Sequence, residues 1–413
     1  MRNNLRLGFV LATALLCLGV QLSNAQSKFV TIRGKEFVAP DGKPFLLKGI
    51  NLGNWLLPEG YMFKFKSANS PRRIETVINQ LIGEEEAKEF WKEYRDNYIT
   101  HEDIKLIKQL GLNSIRVPFN YRLFVVEGDS QRLEGPGYEM LDRVIEWSRT
   151  EDLLVILDMH GAPGGQTGDN IDDSWGYPFL FENSESQDLT IRIWRKIAAR
   201  YANEPAVVGY DLLNEPIAHY FDQEHLNPKL EPLYRRIVAA IREVDSNHII
   251  FLGGAQWNNN FSVFGPPFDN KLAYTFHKYW MEVNQPAIQE YVDFRDKYNV
   301  PVWMGESGEN TDEWIASYRE LLERNNIGWC FWPYKKLDAT SSIVSIDKPG
   351  DWDAIIAFAD HPRTTFEDVR KNRPPPAKVK NALTAFLQNI KLANCRINKG
   401  YIQAMGLTPL SPP

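Results

Sequence analysis

Short apolar runs alternate with helical periodicities along most of this chain. Ser114–Phe119, Leu153–His160, Val207–Glu215, Ile249–Gly253, Leu272–Tyr279, Val302–Glu306 and Ile327–Trp332 have the length and β-rich composition of strands buried on both faces. Between them, Tyr138–Thr150, Gln187–Tyr201, Leu230–Val244, Gln285–Tyr298 and Asp312–Asn325 carry the spacing of amphipathic helices, and Asp351–Ala359 follows the last run. The connection from Gly254 to Lys271, rich in Asn, Gly and Pro, predicts no helix. Upstream, Phe29–Val38 and Phe45–Leu47 around the turn Ala39–Pro44 predict a hairpin, and Leu46–Leu52 a first central strand. A long segment then holds a charged helix near Glu84–Tyr98 and an amphipathic one, His101–Leu110, closed by Gly111.

Eight strand units alternating with helical segments predict a parallel sheet, and eight of them predict closure. The expected fold is α/β: a single (β/α)8 barrel with an N-terminal hairpin and long βα loops. No Gly-x-Gly-x-x-Gly follows a first strand, which argues against a doubly wound open sheet. No composition break marks a second domain. Pro374–Pro376 sets off a final helix, about Lys378–Ala393, and a polar tail, so 26–413 reads as one domain with 378–413 as its terminal helix and tail.

Residues 1–25 read as an address. Arg2 and Arg6 precede an apolar core from Leu7 to Val20, and Ser23-Asn24-Ala25 offers a small-residue cleavage site, so the chain is expected to be secreted or periplasmic. Leu15-Leu16 before Cys17 is not the setting of a lipidated cysteine. No later stretch is long enough to span a membrane. Losing the two arginines takes the formal charge from −6 to −8, which disfavours nucleic acid as a partner. Cys330 and Cys395 then remain, and the apolar run around Cys330 favours two unpaired thiols.

The strand ends hold the chemistry. Val207-Val208-Gly209-Tyr210-Asp211-Leu212-Leu213 stops at Asn214-Glu215-Pro216, where proline cannot continue a sheet ladder. Pro301-Val302-Trp303-Met304-Gly305-Glu306 ends likewise in a glutamate. In a parallel barrel every such end opens on one face, which therefore gathers Asn51, Arg116, His160, Asn214, Glu215, His277, Tyr279, Glu306 and Trp332. Two facing carboxylates suit glycoside hydrolysis, in which one donates a proton and the other acts as nucleophile or base. Arg116 is expected to hold Glu306 ionised, Asn214 to reach a sugar hydroxyl, and Trp332 to offer a flat apolar face.

Taken in order, Ser-Ile-Arg116-Val-Pro-Phe, Leu-Asp-Met-His160-Gly-Ala-Pro-Gly, Asn214-Glu215-Pro216, His277-x-Tyr279, Gly-Glu306-Ser-Gly and Phe-Trp332-Pro resemble the signature of glycoside hydrolase family 5, the cellulase family, across about Leu46 to Tyr334. The resemblance implies a retaining hydrolase with Glu215 as acid/base and Glu306 as nucleophile. It also implies that Asn51, Arg116, His160, Asn214, His277, Tyr279 and Trp332 line the subsite of the cleaved sugar. Asn51–Trp55 and His160–Gln166 look most like the exo-β-1,3-glucanase branch, whereas Thr167–Ser186 and Pro333–Gly350 follow no branch. The implied substrate is a β-linked oligo- or polysaccharide, a β-glucan first, with mannan, xylan or a glycolipid as alternatives. No cofactor or metal is implied, and the chain is expected to act as a monomer. A metal-dependent barrel hydrolase and a non-catalytic sugar-binding barrel are the rival readings; the first lacks an evident third ligand beside His160 and His277, and the second usually lacks one of the two carboxylates. Trp175, Tyr177, Trp257 and Trp280, in or near βα loops, are candidate sugar platforms or simple loop anchors.

Overall fold

The computed structural model describes residues 28–408 of the 413-residue chain, so the address-like 1–25 and Cys17 lie outside the described residues. Eight parallel strands close into one barrel: β1 (Lys48–Asn51), β2 (Ser114–Asn120), β3 (Leu154–Gly161), β4 (Val207–Asp211), β5 (Ile249–Gly253), β6 (Leu272–His277), β7 (Val302–Gly308) and β8 (Gly328–Trp332). Each pairs with its sequence neighbours, and β8 closes on β1 through Trp329↔Lys48 to Phe331↔Ile50. The expected (β/α)8 architecture is thus the observed one. Among the described residues no helix is long and apolar enough to cross a membrane.

The barrel's interior is layered. Near the strand starts, Leu47, Ile156, Val208, Phe251, Trp303 and Cys330 form a small apolar cluster of their own, which Val30 and Phe37 join from the N-terminal segment. Phe37 stacks on Phe251 with ring centroids 5.9 Å apart, so this segment plugs the N-terminal end of the barrel. Period-2 alternation then carries polar side chains inward toward the C-terminal ends: Ile156, Asp158 and His160 follow one another along β3, and Ala273, Thr275 and His277 along β6.

Several boundaries differ from the sequence reading. The N-terminal segment is a three-stranded meander, Thr31–Arg33, Glu36–Val38 and Pro44–Phe45, because Gly34 at φ 60° turns the chain inside what reads as one strand. β4 ends at Asp211 rather than Glu215, and β6 at His277 rather than Tyr279. A helix at Pro71–Ile82 escapes the periodicity reading, although Pro71 at its first turn and buried Ile74, Val77, Ile78 and Leu81 are helical signals. The helix expected from Leu230 begins at Gln223, capped by Asp222, and carries Pro228 and Pro232 inside it. Buried Leu226, Leu230, Leu233 and Tyr234 on one face outweigh the two lost hydrogen bonds.

The last stretch is more ordered than a helix and a polar tail. After Pro376–Asn389, Arg396–Ile397 pairs with Val344–Ile346, which pairs in turn with Lys335–Leu337, and a helix at Lys399–Ala404 packs on Asp312–Arg324. Elements this short carry too few positions to show a period. Cys330 and Cys395 are both free thiols.

Candidate active site

Arg116, wholly buried on β2, is the hub of the barrel mouth. Its guanidinium makes four hydrogen bonds here and a further ion pair. Nε donates to Asp211 Oδ2 at 2.9 Å; Nη1 donates to Asn51 Oδ1 and Glu306 Oε2, both at 3.0 Å. Nη2 donates to Asn214 Oδ1 at 2.8 Å and lies 3.1 Å from Asp158 Oδ1. Burial opposes the charge on Arg116, but Asp158, Asp211 and Glu306 outweigh it and hold the guanidinium more firmly protonated than usual. Burial in turn pushes Asp158 and Asp211 up to about 7, against the pull of Arg116. One cation is shared among three acids, so they titrate as a group rather than singly.

Asp158 and Asp211 are two of the site residues that the sequence reading missed. Asp158 stands two positions before His160, on the same face of β3, and that period-2 offset was the available signal. Asn51 takes a different place from the expected one. Its Nδ2 donates to the carbonyls of Gly305, Cys330 and Phe331 and its Oδ1 accepts from Arg116, so the whole amide is engaged within the protein.

Asn214 fixes the next ring. With Oδ1 on Arg116, its Nδ2 faces His160 Nε2 at 3.2 Å, so Nε2 is the acceptor. The imidazole hydrogen must then sit on Nδ1, which donates to Asp158 Oδ2 at 2.7 Å. Burial pushes the His160 pKa down to about 3, which keeps the ring neutral. Trp332 lies against this ring, with centroids 5.5 Å apart and planes 12° from parallel, and its Nε1 donates to Tyr61 at 2.7 Å. A Cβ on Gly53 would come within 2.3 Å of the indole, so glycine is required there. The indole stays 2% exposed; His160 takes much of the stacking surface expected for a sugar.

The two glutamates face each other above this floor. A ladder irregularity between Met304 and Glu306 turns Glu306 into the mouth, and Gly305 beside it leaves room for Thr275, whose Oγ1 a Cβ would meet at 2.2 Å. Glu306 accepts from Arg116 at Oε2 and from the Tyr279 hydroxyl at Oε1, 2.9 Å away. Glu215 follows β4 in a left-handed conformation, φ 48°, stapled from below by the loop after β3. Gln166 Nε2 donates to the Asn214 carbonyl and Thr167 Oγ1 to that of Glu215, at 2.7 and 2.8 Å. Glu215 Oε1 lies 2.9 Å from His277 Nδ1. Carboxylate oxygens of Glu215 and Glu306 approach within 4.8 Å.

Their electrostatics diverge. Burial, then the neighbouring Glu306, push Glu215 well above the usual carboxylate range. Burial also raises Glu306, while Arg116 and the Tyr279 hydroxyl hold it back. Arg116 therefore limits the rise in Glu306 rather than depressing its pKa outright as expected; desolvation is the larger effect.

The family model for Cellulase (glycosyl hydrolase family 5) matches residues 74–338, the span that carries every one of these side chains but Asn51 and Tyr61. The chain belongs to glycosyl hydrolase family 5. It is a glycosyl hydrolase with a carbohydrate substrate. Among family-5 relatives, a "Beta-xylosidase" of Phanerodontia chrysosporium is 28% identical over 360 residues, covering 78% of this chain and 74% of that protein. A "Probable glucan 1,3-beta-glucosidase A" of Aspergillus fumigatus is 29% identical over 210 residues, half of this chain and 49% of that one. In structure, an endogalactoceramidase superposes with a TM-score of 0.60 at 16% identity, covering 91% of this chain and 84% of the other, a likeness of fold.

Two further features mark this family-5 mouth. Glu59, after β1, is a third buried glutamate, one that the sequence reading passed over. Its Oε1 has no hydrogen-bond partner, and burial followed by Glu306 pushes its pKa well up. After β5, Gln256, Trp257 and Asn258 are three successive non-glycine residues with φ of 50°, 63° and 59°. Each costs roughly 1–2 kcal/mol over the right-handed form. The turn is bound to the Glu215 loop by Gln256 N donating to the Ile217 carbonyl at 2.9 Å, and Ile217 is itself left-handed at φ 57°.

A cation has poor prospects between the glutamates. Glu215, His277 and Glu306 present ligand-type atoms in one place. Both Glu306 oxygens already accept hydrogen bonds, and the His277 nitrogens face Glu215 and Asn258 Nδ2. A divalent ion would have to displace Arg116 or Tyr279 to gain a carboxylate. Trp175 and Trp280, 79% and 72% exposed, stand out on βα loops, the first under the Arg72 guanidinium and the second against the Tyr279 ring, whereas Trp257 is partly buried with Nε1 donating to His219.

Proposed function

We propose that this chain is a retaining β-glycosidase of β-glucans, β-1,3 or β-1,4 linked, with Glu306 as nucleophile and Glu215 as acid/base. The observation that carries this reading is the pair itself. One oxygen of each lies within 4.8 Å of the other, nearer to the about 5–5.5 Å between the carboxyl groups of retaining enzymes than to the about 6.5–9.5 Å of inverting ones. Glu306 attacks the anomeric carbon as the bond to the leaving oxygen breaks and Glu215 gives that oxygen its proton. Water then attacks the glycosyl–Glu306 ester while Glu215 takes the water's proton. Glu215 is driven further toward the acid form than Glu306, the order that the first step needs. Tyr279 and Arg116 steady the carboxylate that leaves in the second.

Around them, Asn214 keeps one amide hydrogen free of Arg116 and His160 for the 2-hydroxyl. Glu59 offers a carboxyl to other hydroxyls of the cleaved unit, and His160 with Trp332 forms the floor. Asn51 and Arg116 act from beneath as positioning residues. The β-glucan preference rests on the resemblance of Asn51–Trp55 and His160–Gln166 and on the relative named for glucan 1,3-β-glucoside cleavage.

Incubation with a 2-fluoro β-glucoside and peptide mapping is expected to place the label on Glu306, and NMR is expected to show the β-anomer formed first. Activity is expected to survive EDTA. A label elsewhere or a first-formed α-anomer would contradict the mechanism; activity confined to mannan, xylan or glycolipid would move the substrate alone. Export follows from residues 1–25 and is checked by N-terminal sequencing of secreted protein, with a start near Gln26 expected and an intact Met1 form in the cytosol opposing it.

A further inference from the structure

The left-handed turn after β5 adjoins the reacting groups, yet the chemistry above uses none of its side chains. We propose that Asn258 is a positioning residue that fixes the tautomer of His277 and makes it the hydrogen-bond donor to Glu215. The proposal rests on the reading of Glu215 as acid/base.

The relay can be followed atom by atom. Asn258 is fully buried, and its Nδ2 lies 3.1 Å from His277 Nε2. An amide nitrogen only donates, so Nε2 must carry the lone pair and Nδ1 the hydrogen. Nδ1 is 2.9 Å from Glu215 Oε1, so that hydrogen is donated to the carboxyl. A bond of this kind favours the ionised carboxylate, the form that must accept water's proton in the second step. It therefore offsets burial and Glu306, which drive Glu215 toward the acid. His277 can serve because burial keeps it neutral, well below its ordinary pKa.

The fold is arranged to seat this amide. Three consecutive left-handed residues swing Asn258 inward. On Gly253 a Cβ would come within 2.2 Å of Asn258 Oδ1, so glycine is needed at the end of β5 to let the amide in. Asn258 Oδ1 finds no donor of its own. An unpaired buried acceptor is tolerated here while Nδ2 keeps its bond to the ring. The reverse orientation would give Nε2 the hydrogen and turn Nδ1 into an acceptor from the Glu215 hydroxyl. The other charged groups acting on Glu215 are Glu306 on β7, Arg116 on β2, Asp158 on β3 and Glu59 after β1; none of them is altered by a change at Asn258.

Asn258→Gly tests the relay by removing the amide without adding a charge and without straining the left-handed backbone at φ 59°. With no amide hydrogen facing Nε2, His277 is free to hold its hydrogen there, and its Nδ1 in that form favours protonated Glu215. The basic limb of the kcat/KM profile is expected to rise by about one pH unit or more. With an activated aryl glycoside, whose second step needs ionised Glu215, kcat is expected to fall several-fold and to recover as pH rises. Gly253→Ala, whose Cβ pushes the amide off Nε2 without adding a charge beside Glu215, is expected to move the limb in the same direction. In 15N spectra, His277 of the unaltered protein is expected to carry its hydrogen on Nδ1, a readout independent of activity and of how well any variant folds. A folded Asn258→Gly protein with an unmoved basic limb, or an Nε2–H tautomer in the unaltered protein, would overturn the proposal. If Glu215→Ala fails to behave as loss of an acid/base, the underlying reading falls; if it does so behave and the limb stays put, the role of Asn258 falls alone.

Discussion

Glu215→Ala is expected to lower turnover about 10²–10⁴-fold on glucosides with poor leaving groups, the usual worth of a positioned general acid. Activated aryl glucosides need little protonation, so their first step is expected to survive and the glycosyl–Glu306 ester to accumulate. Added azide, an anion that needs no base, is expected to restore turnover and give the β-glycosyl azide. The physical basis is the setting of the carboxyl. Its strained backbone, held by Gln166 and Thr167, aims it across the mouth at Glu306. Equal loss on both substrate classes, with no rescue, would remove Glu215 from the role of proton donor.

Arg116→Met is expected to cost about 3–5 kcal/mol of stability, the penalty for leaving buried carboxylates without their cation. Asp158 and Asp211, both wholly buried, would face each other with no counter-charge, and thermal or denaturant unfolding measures the loss. Where the variant folds, removal of the cation raises the Glu306 pKa, so the acidic limb of kcat/KM is expected to move to higher pH. Arg116→Lys separates charge from geometry. Three donors on a flexible stem cannot replace a planar fork of five, so activity is expected to fall while the acidic limb stays nearer that of the unaltered enzyme. An acidic limb unchanged in folded Arg116→Met would count against the Arg116–Glu306 contact seen at 3.0 Å.

The mouth is legible in the sequence to different depths. Glu215 and Glu306 stand out because a carboxylate ending an apolar strand is costly without a task. Asp158 and Asp211 do not, since each sits inside its run with apolar neighbours, and only the inward face of a closed barrel shows that both meet Arg116. Glu59 and Asn258 lie in connections with no period at all. Their importance comes from the chain's return to the mouth, which local sequence does not encode.

By itself, then, the sequence determined the order of eight strands, the parallel closure and the rim on which the chemistry gathers. These are properties of repeat and period, set by the need to bury two faces of every strand. It could not settle where β4 ends, that Gly34 splits the first run into a meander, or that Arg396–Ile397 and Lys399–Ala404 fold back on the barrel. Those depend on partners far away in the chain. The same holds for the balance of charge. Arg116 beside Glu306 reads as a depressed carboxylate, but in the closed barrel the guanidinium is shared with Asp158 and Asp211 and burial outweighs it. Desolvation is a property of the whole enclosure, which forms only when the tertiary structure does.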